Sequence, residues 1–169
     1  MKVRNMMTAD VKTCGVEDDL ARAATIMWER DCGSVPVVDA TGKIVGMLTD
    51  RDICMAVAFK ARAASAIKAG EIISGDVYAC HADDNAKAAL DLMQRYKLRR
   101  LPVIGDGGVL QGILSINDVI LHSKRGDDKK AKHVSHKDVM ETLKALSEHR
   151  APASDQAQAD ETNLEATNL

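Results

Sequence analysis

Aromatic side chains are nearly absent: Trp28, Phe59, Tyr78 and Tyr96 supply only 2% of the 169 residues. That excludes a surface built on rows of stacking platforms, such as a groove for single-stranded nucleic acid. Neither sign of charge dominates. Lys and Arg number 23 against 25 Asp and Glu, a formal net charge of −2. No global positive field exists to hold DNA or RNA, so a nucleic-acid partner is not expected. Long apolar runs are missing, and none could span a bilayer. The opening MKVRNMMTADVK lacks the apolar segment of a secretory signal. The expectation is a cytoplasmic chain with no membrane partner. Cys14, Cys32, Cys54 and Cys80 form no C-x-x-C pair, and His133 and His136 stand in a charged stretch without a cysteine nearby. Reduced thiols and no metal site are expected. There is no Walker-type or G-x-G-x-x-G loop and no ordered Ser-His-Asp or Cys-His set. His81 and His122 fall at unmatched positions, so no base and nucleophile come into register.

What is present is an internal repeat. Pro36 and Pro102 sit in the apolar runs SVPVVD and RLPVIG, 66 residues apart. The same offset links Cys14 to Cys80, Asp18 to Asp84, Met27 to Met93, Gly42 to Gly108, Gly46 to Gly112 and Asp52 to Asp118. Thr8 falls on Ser74 and Thr49 on Ser115. Residues 1–56 overlay 67–122 without a gap. Two copies are too few for a solenoid, so a closed pair, each half covering the other, is the expected solution.

Each copy carries the same pattern. Val11–Cys14 and Val77–Cys80 are short strand candidates, and Asp18 and Asp84 follow at the place of a helix N-cap. Leu20, Ala23, Ala24, Met27 and Trp28 then form one helical stripe, and Ala86, Ala89, Leu90 and Met93 form the other. A hairpin follows, Ser34–Asp39 returning over Lys43–Leu48, and Leu101–Ile104 returning over Val109–Leu114. A second helix starts at Thr49 or Ser115. The unit is β-α-β-β-α, about 55 residues long and marginal for folding alone.

The chemistry sits at those second helix starts. Thr49 and Ser115 are N-cap residues, with Asp52 and Asp118 three positions on. Taken singly, each is a capping box and nothing more. Duplicated at the repeat offset, the same residues also suit a nucleoside phosphate. A helix N-terminus offers free amides and a positive dipole end to phosphate. A cap hydroxyl adds a donor, and a carboxylate one turn along can accept both hydrogens of a ribose diol.

The stretches GSVPVVDATGKIVGMLTDRDI and RRLPVIGDGGVLQGILSINDV resemble the cystathionine-beta-synthase (CBS) domain, and two tandem copies resemble a Bateman module over roughly residues 1–122. The resemblance implies an α+β fold in which two β-α-β-β-α repeats pack with pseudo-two-fold symmetry. It implies two clefts for AMP, ADP, ATP or S-adenosylmethionine, regulation rather than catalysis, and a homodimer acting on an unknown effector protein. Carried over by position, Thr49 and Ser115 would meet phosphate, and Asp52 and Asp118 ribose. Lys12, Thr13 and Cys14, with Tyr78, Ala79 and Cys80, match the strand that frames the base. Val35-Pro36 and Leu101-Pro102 match the apolar wall. Arg99, Arg100 and Arg51 match basic residues that reach a phosphate, although an exposed basic pair answering Asp91 or a neighbouring chain is an equal reading of Arg99 and Arg100. Asn117 stands where the first copy has Arg51, and Gly105-Asp106 replaces the usual Val-Asp. The two clefts are therefore unequal.

The expected boundaries are 1–62 and 63–124 for the repeats, 125–150 for a charged linker and amphipathic helix, and 151–169 for a disordered acidic tail. Ala56–Ile67 reads as a helical connector. Ser135 should cap the last helix, with Val139, Met140, Leu143 and Leu146 on one side. No stretch is left over for a separate catalytic domain, so no enzyme is expected. Two other readings remain: a ligand-free interaction scaffold, or a redox or metal sensor using Cys14 and Cys80.

Overall fold

The computed structural model describes residues 1–73, 77–126 and 133–148. The first repeat runs β1 (Cys14–Gly15), α1 (Leu20–Glu29), β2 (Ser34–Val38), β3 (Ile44–Thr49) and α2 (Asp50–Lys60). The second runs β4 (Cys80–His81), α3 (Ala86–Tyr96), β5 (Arg100–Ile104), β6 (Leu110–Ser115) and α4 (Ile116–His122), and α5 (His136–Ser147) follows. Each repeat has a three-stranded sheet, ordered β1-β2-β3 and β4-β5-β6. The first strand pairs parallel and the hairpin antiparallel. The registers repeat at the same offset: Cys14 faces Val37 and Cys80 faces Val103, while Ser34 faces Thr49 and Arg100 faces Ser115. The α+β architecture of two β-α-β-β-α units is therefore the observed one.

Local details depart from the sequence reading. The strands start only at Cys14 and Cys80. Where the parallel ladder would continue toward residues 11–13 and 77–79, the facing strands carry Pro36 and Pro102, which have no amide to donate. The helix caps are Asp19 and Asn85, not Asp18 and Asp84. Asp19 accepts from Arg22 N at 2.8 Å and Asn85 from Lys87 N at 3.0 Å. Asp18 and Asp84 instead accept from Gly15 N and His81 N, both at 2.8 Å, and close the strand-to-helix turn. Trp28 is 89% exposed and Ala24 also lies outside, with Ile26 taking the buried place on α1. The connector is helical only to Lys60. Ala61 turns left-handed (φ 49°), and two short 3-10 turns follow at Ala64–Ala66 and Ala69–Glu71.

Those turns serve packing. Ile67 and Ala69 are buried in the first core with Leu20, Val35, Val37 and Leu48. At the other end of the chain, Val3 and Met6 are buried in the second core with Leu90, Met93, Leu101 and Leu114. The segment ahead of each strand has thus crossed to the other repeat. Val3 N donates to Asp84 O at 3.0 Å and Arg4 N to Ala82 O at 2.9 Å, while Lys2 and Arg4 pair with Asp83. Thr8 and Ile113 exchange two 2.9 Å backbone hydrogen bonds beside β6. This crossing explains one repeated glycine pair. A Cβ on Gly112 would stand 2.6 Å from the Thr8 carbonyl oxygen, and one on Gly46 would stand 2.7 Å from Ile73. The hairpin ends also meet, Lys43 bridging Val109. Large apolar side chains buried this way contribute on the order of 1.5–3 kcal/mol each.

Helix α5 packs on α3 and α4. Val139 and Thr142 are buried, and Leu143 and Leu146 lie against the second core. Met140 is 53% exposed, so Thr142 rather than Met140 completes the buried face. Thr142 Oγ1 accepts from Gln94 Nε2 at 2.7 Å and donates to Asp138 O at 2.9 Å. No helix like α5 covers the first repeat among the described residues, and Trp28 on α1 and Phe59 (81%) on α2 are exposed. Most of the charged stretch after Gly126, and the acidic tail expected at 151–169, lie outside the described residues.

Candidate functional site

The two helix starts that the repeat singles out have one geometry. Thr49 Oγ1 accepts from Asp52 N at 3.2 Å and donates to Asp52 Oδ2 at 2.7 Å, and the same Oδ2 accepts from Thr49 N at 2.9 Å. For Ser115 and Asp118 the distances are 3.2, 2.6 and 2.8 Å. Each hydroxyl proton is thus committed to its own carboxylate rather than directed outward. Each Oδ1 has no hydrogen-bond partner among the described residues. The same box recurs at Ser135 and Asp138 on α5 (3.2, 2.7 and 2.8 Å), where it serves only as a cap and an ion-pair partner for Lys87. A box alone is therefore structural, and what distinguishes the first two is their surroundings.

Both open onto hollows between the repeats. The first, about 580 Å³, brings Thr49, Arg51 and Asp52 of the first repeat against Tyr78, Arg99, Arg100 and Pro102 of the second. The second, about 390 Å³, brings Ser115, Asn117 and Asp118 against Lys12 and, again, Arg100. Both volumes suit a small organic ligand. The linings correspond at the repeat offset: Val77 matches Val11, Tyr78 matches Lys12, Met47 matches Ile113, and Arg100 matches Ser34. A third hollow of about 490 Å³ lies between the starts of α2 and α4 and includes Arg51, Arg99, Arg100 and Asn117.

The electrostatics of the first hollow are lopsided. Among the described residues no ion pair engages Arg51, Arg99 or Arg100, so Asp91 does not answer the tandem arginines. Three guanidiniums stand against the single carboxylate of Asp52. Concentrating like charge at a rim costs folding energy unless an anion offsets it. Lys97 also lines this hollow, but its ammonium is held by the Ala145 carbonyl and the Glu148 carboxylate at the end of α5. Tyr78 stacks on Tyr96 with ring centroids 3.6 Å apart, which stiffens one wall.

Other expected site residues lie elsewhere. Cys14, Val35, Cys80 and Leu101 are closed off in the two cores, at 0–1% exposure, so their side chains cannot frame a ligand. Thr13, Pro36 and Ala79 are not among the lining residues. Burial pushes the Cys14 thiol up to about 11 and the Cys80 thiol to about 12, with Asp18 and Asp84 respectively adding to the shift. Both stay protonated at neutral pH, which removes the basis for thiolate chemistry there. No group of three or more His, Cys, Asp or Glu among the described residues could hold a metal ion. No helix among them is long and apolar enough to cross a membrane.

Sequence reasoning overlooked Ser34. It is 5% exposed, it lines both hollows, and its Oγ has no hydrogen-bond partner among the described residues. Buried hydroxyls without a partner are uncommon and costly. The available signal was positional: the repeat offset sets Ser34 on Arg100, a residue already singled out.

Comparison with known proteins agrees with this geometry. The CBS domain profile matches residues 3–58 and again 69–125. Hypoxic response protein 1 of Mycobacterium tuberculosis is 31% identical over 119 residues, 70% of this chain and 82% of that protein. A crystal structure of hypoxic response protein I, with two coordinated zinc ions, superposes with a TM-score of 0.67 over 72% of this chain and 98% of that one. A CBS domain pair solved in complex with 5′-methylthioadenosine and S-adenosyl-L-methionine superposes with a TM-score of 0.65 at 25% identity, over 72% of this chain and 98% of that one. The inosine-5′-monophosphate dehydrogenase of Methanocaldococcus jannaschii matches 73% of this chain at 29% identity, but only 24% of the enzyme.

Proposed function

The chain belongs to the CBS domain family as a domain pair, a regulatory module, and on that premise we propose that it binds an adenosine nucleotide (AMP, ADP or ATP) in the hollows between its repeats. Occupancy is then reported by a change in repeat geometry or in self-association. The observation that carries this reading is the first hollow, whose lining combines Asp52, with a carboxylate oxygen unpartnered among the described residues, and three arginines without an ion pair among them. Asp52 Oδ1 takes the ribose diol, and Arg51, Arg99 and Arg100 take the phosphate, for which a guanidinium fork is the best-matched side chain. Tyr78 and Pro102 form the wall beside the base. In the second hollow Asp118 plays the part of Asp52, and Lys12 and Asn117 stand near it. S-adenosylmethionine is the alternative ligand.

Signalling rather than catalysis is the role that membership as a CBS domain pair supports. Transmission needs only about 1–3 kcal/mol of coupling. Lys97 supplies a route, since its residue borders the Leu98–Arg100 wall while its ammonium grips the end of α5. The exposed Trp28 is where this reading places the association of two copies.

Calorimetry tests the proposal, with AMP, ADP, ATP and S-adenosylmethionine titrated into the wild type and into a D52A/D118A double variant. Losing both boxes costs about 1 kcal/mol per helix, so melting curves must show the variant folded. Binding to the wild type and its loss in the variant are expected; no heat from any of the four ligands defeats the proposal. A second reading, a ligand-independent scaffold, draws on the purely structural third box at Ser135. It requires that removing residues 135–169 abolish partner binding and that nucleotide leave that binding unchanged.

A further inference from the structure

The two hollows copy one geometry in different charge, and we infer that they take different ligands: the first an adenosine bearing a 5′-phosphate, the second an adenosine whose 5′ substituent carries no negative charge. This rests on the reading that the hollows hold adenosine-containing molecules. It adds which one each selects and which residues decide.

The deciding positions follow from the repeat. Arg51, at the start of α2, becomes Asn117 at the start of α4. Arg99 becomes Gly33, and Lys97 becomes Asp31. Each of these changes removes a cation and the last adds an anion, while Tyr78 becoming Lys12 returns one cation. In the second hollow Arg30 is already tied to Asp10 at 3.3 Å. Lys12 and Arg100 are left there against Asp31 and Asp118. That balance gives a phosphate dianion no net attraction, since Asp31 brings a second negative charge to the lining. Repulsion of the wrong ligand is as effective a source of selectivity as attraction of the right one. A neutral thioether or a positively charged sulfonium meets no such opposition.

An independent feature points to a ligand in both places. The buried Ser34 hydroxyl has no partner among the described residues and lines both hollows. Across the pseudo-symmetry its counterpart is Arg100, which also lines both. One side of the shared wall therefore offers a neutral donor and the other a cation.

The repeat also dictates the experiment, because exchanging residues between equivalent positions should exchange the preferences. R51N and N117R change exposed residues in the first turn of a helix, and melting curves confirm that each variant is folded. Isothermal titration of the full chain with AMP and with 5′-methylthioadenosine is expected to show one of each bound together. R51N should weaken AMP roughly tenfold or more, the usual worth of a charge-assisted bond, and leave methylthioadenosine unchanged. N117R should raise the AMP stoichiometry to two per chain. Competition of the two ligands for one site overturns the inference, as do two equal AMP sites in the wild type or equal loss of both ligands in R51N. Each of those results leaves adenosine binding standing. Absence of binding by any adenosine compound removes both the inference and the reading beneath it.

Discussion

Replacing Gly112 with alanine tests the crossing of the chain between repeats. Only a positive φ would make the backbone itself resist alanine, and Gly112 has none. The cost must come from contact. The added Cβ would stand 2.6 Å from the Thr8 carbonyl oxygen and 3.3 Å from Met7 Sδ. The oxygen is backbone, fixed by the paired 2.9 Å bonds between Thr8 and Ile113, so relief means prying that bridge open. Two hydrogen bonds at about 0.5–1.5 kcal/mol each put the loss near 1–3 kcal/mol. Lower entropy in the unfolded chain returns about 0.4–1 kcal/mol. A net loss of about 1–2 kcal/mol lowers Tm by roughly 2–8 °C for a chain of this size. Scanning calorimetry reads it directly. An unchanged or higher Tm would refute the claim that residues 1–8 are stitched onto the second repeat.

Three further outcomes follow from the packing and the thiols. T142V removes the acceptor of Gln94 Nε2 and should cost about 1–2 kcal/mol; a melting curve identical to wild type would mean that α5 is not docked as described. Under native conditions at pH 8, a maleimide should label the exposed Cys54 first and leave Cys14 and Cys80 untouched until denaturant is added; early labelling of either buried thiol contradicts their placement in the cores. Because the folded chain holds both buried thiols protonated to about 11 and about 12, against 9.0 unperturbed, unfolding releases protons above pH 9. Their contribution is full below pH 9 and is lost as pH rises toward those values, so urea midpoints of the wild type should fall more steeply there than those of a C14A/C80A variant, and parallel slopes would disprove it.

Much of the fold was readable because the repeated residues obey local rules. The two boxes expected at Thr49 and Ser115 form, and the cap expected at Ser135 forms as a third box. Proline and glycine at fixed places in the hairpins imposed one register on both copies. The one-residue error at α1 and α3 arose where two candidate caps adjoin, Asp18-Asp19 and Asp84-Asn85. A nonlocal contact bears on the choice at α1, since Leu20 N is drawn to Ile67 O at 2.9 Å. Trp28 fitted the helical period, yet no layer of protein lies over it among the described residues. The crossing of the N-terminal segment left no periodic trace, because it joins residues nearly 80 positions apart in sequence, as Arg4 does with Ala82. At the site, the two acids stood out through duplication, and the arginines through the family resemblance alone. Ser34 did not, because what marks it is burial without a partner, which only the three-dimensional arrangement reveals.

The central claim is that the first hollow holds a sugar phosphate. The most direct measurement is a crystal structure of the chain grown with saturating AMP. The account predicts density in that hollow, with the ribose diol on Asp52 Oδ1 and the phosphate among Arg51, Arg99 and Arg100. A hollow containing only solvent, or AMP bound elsewhere, would contradict it.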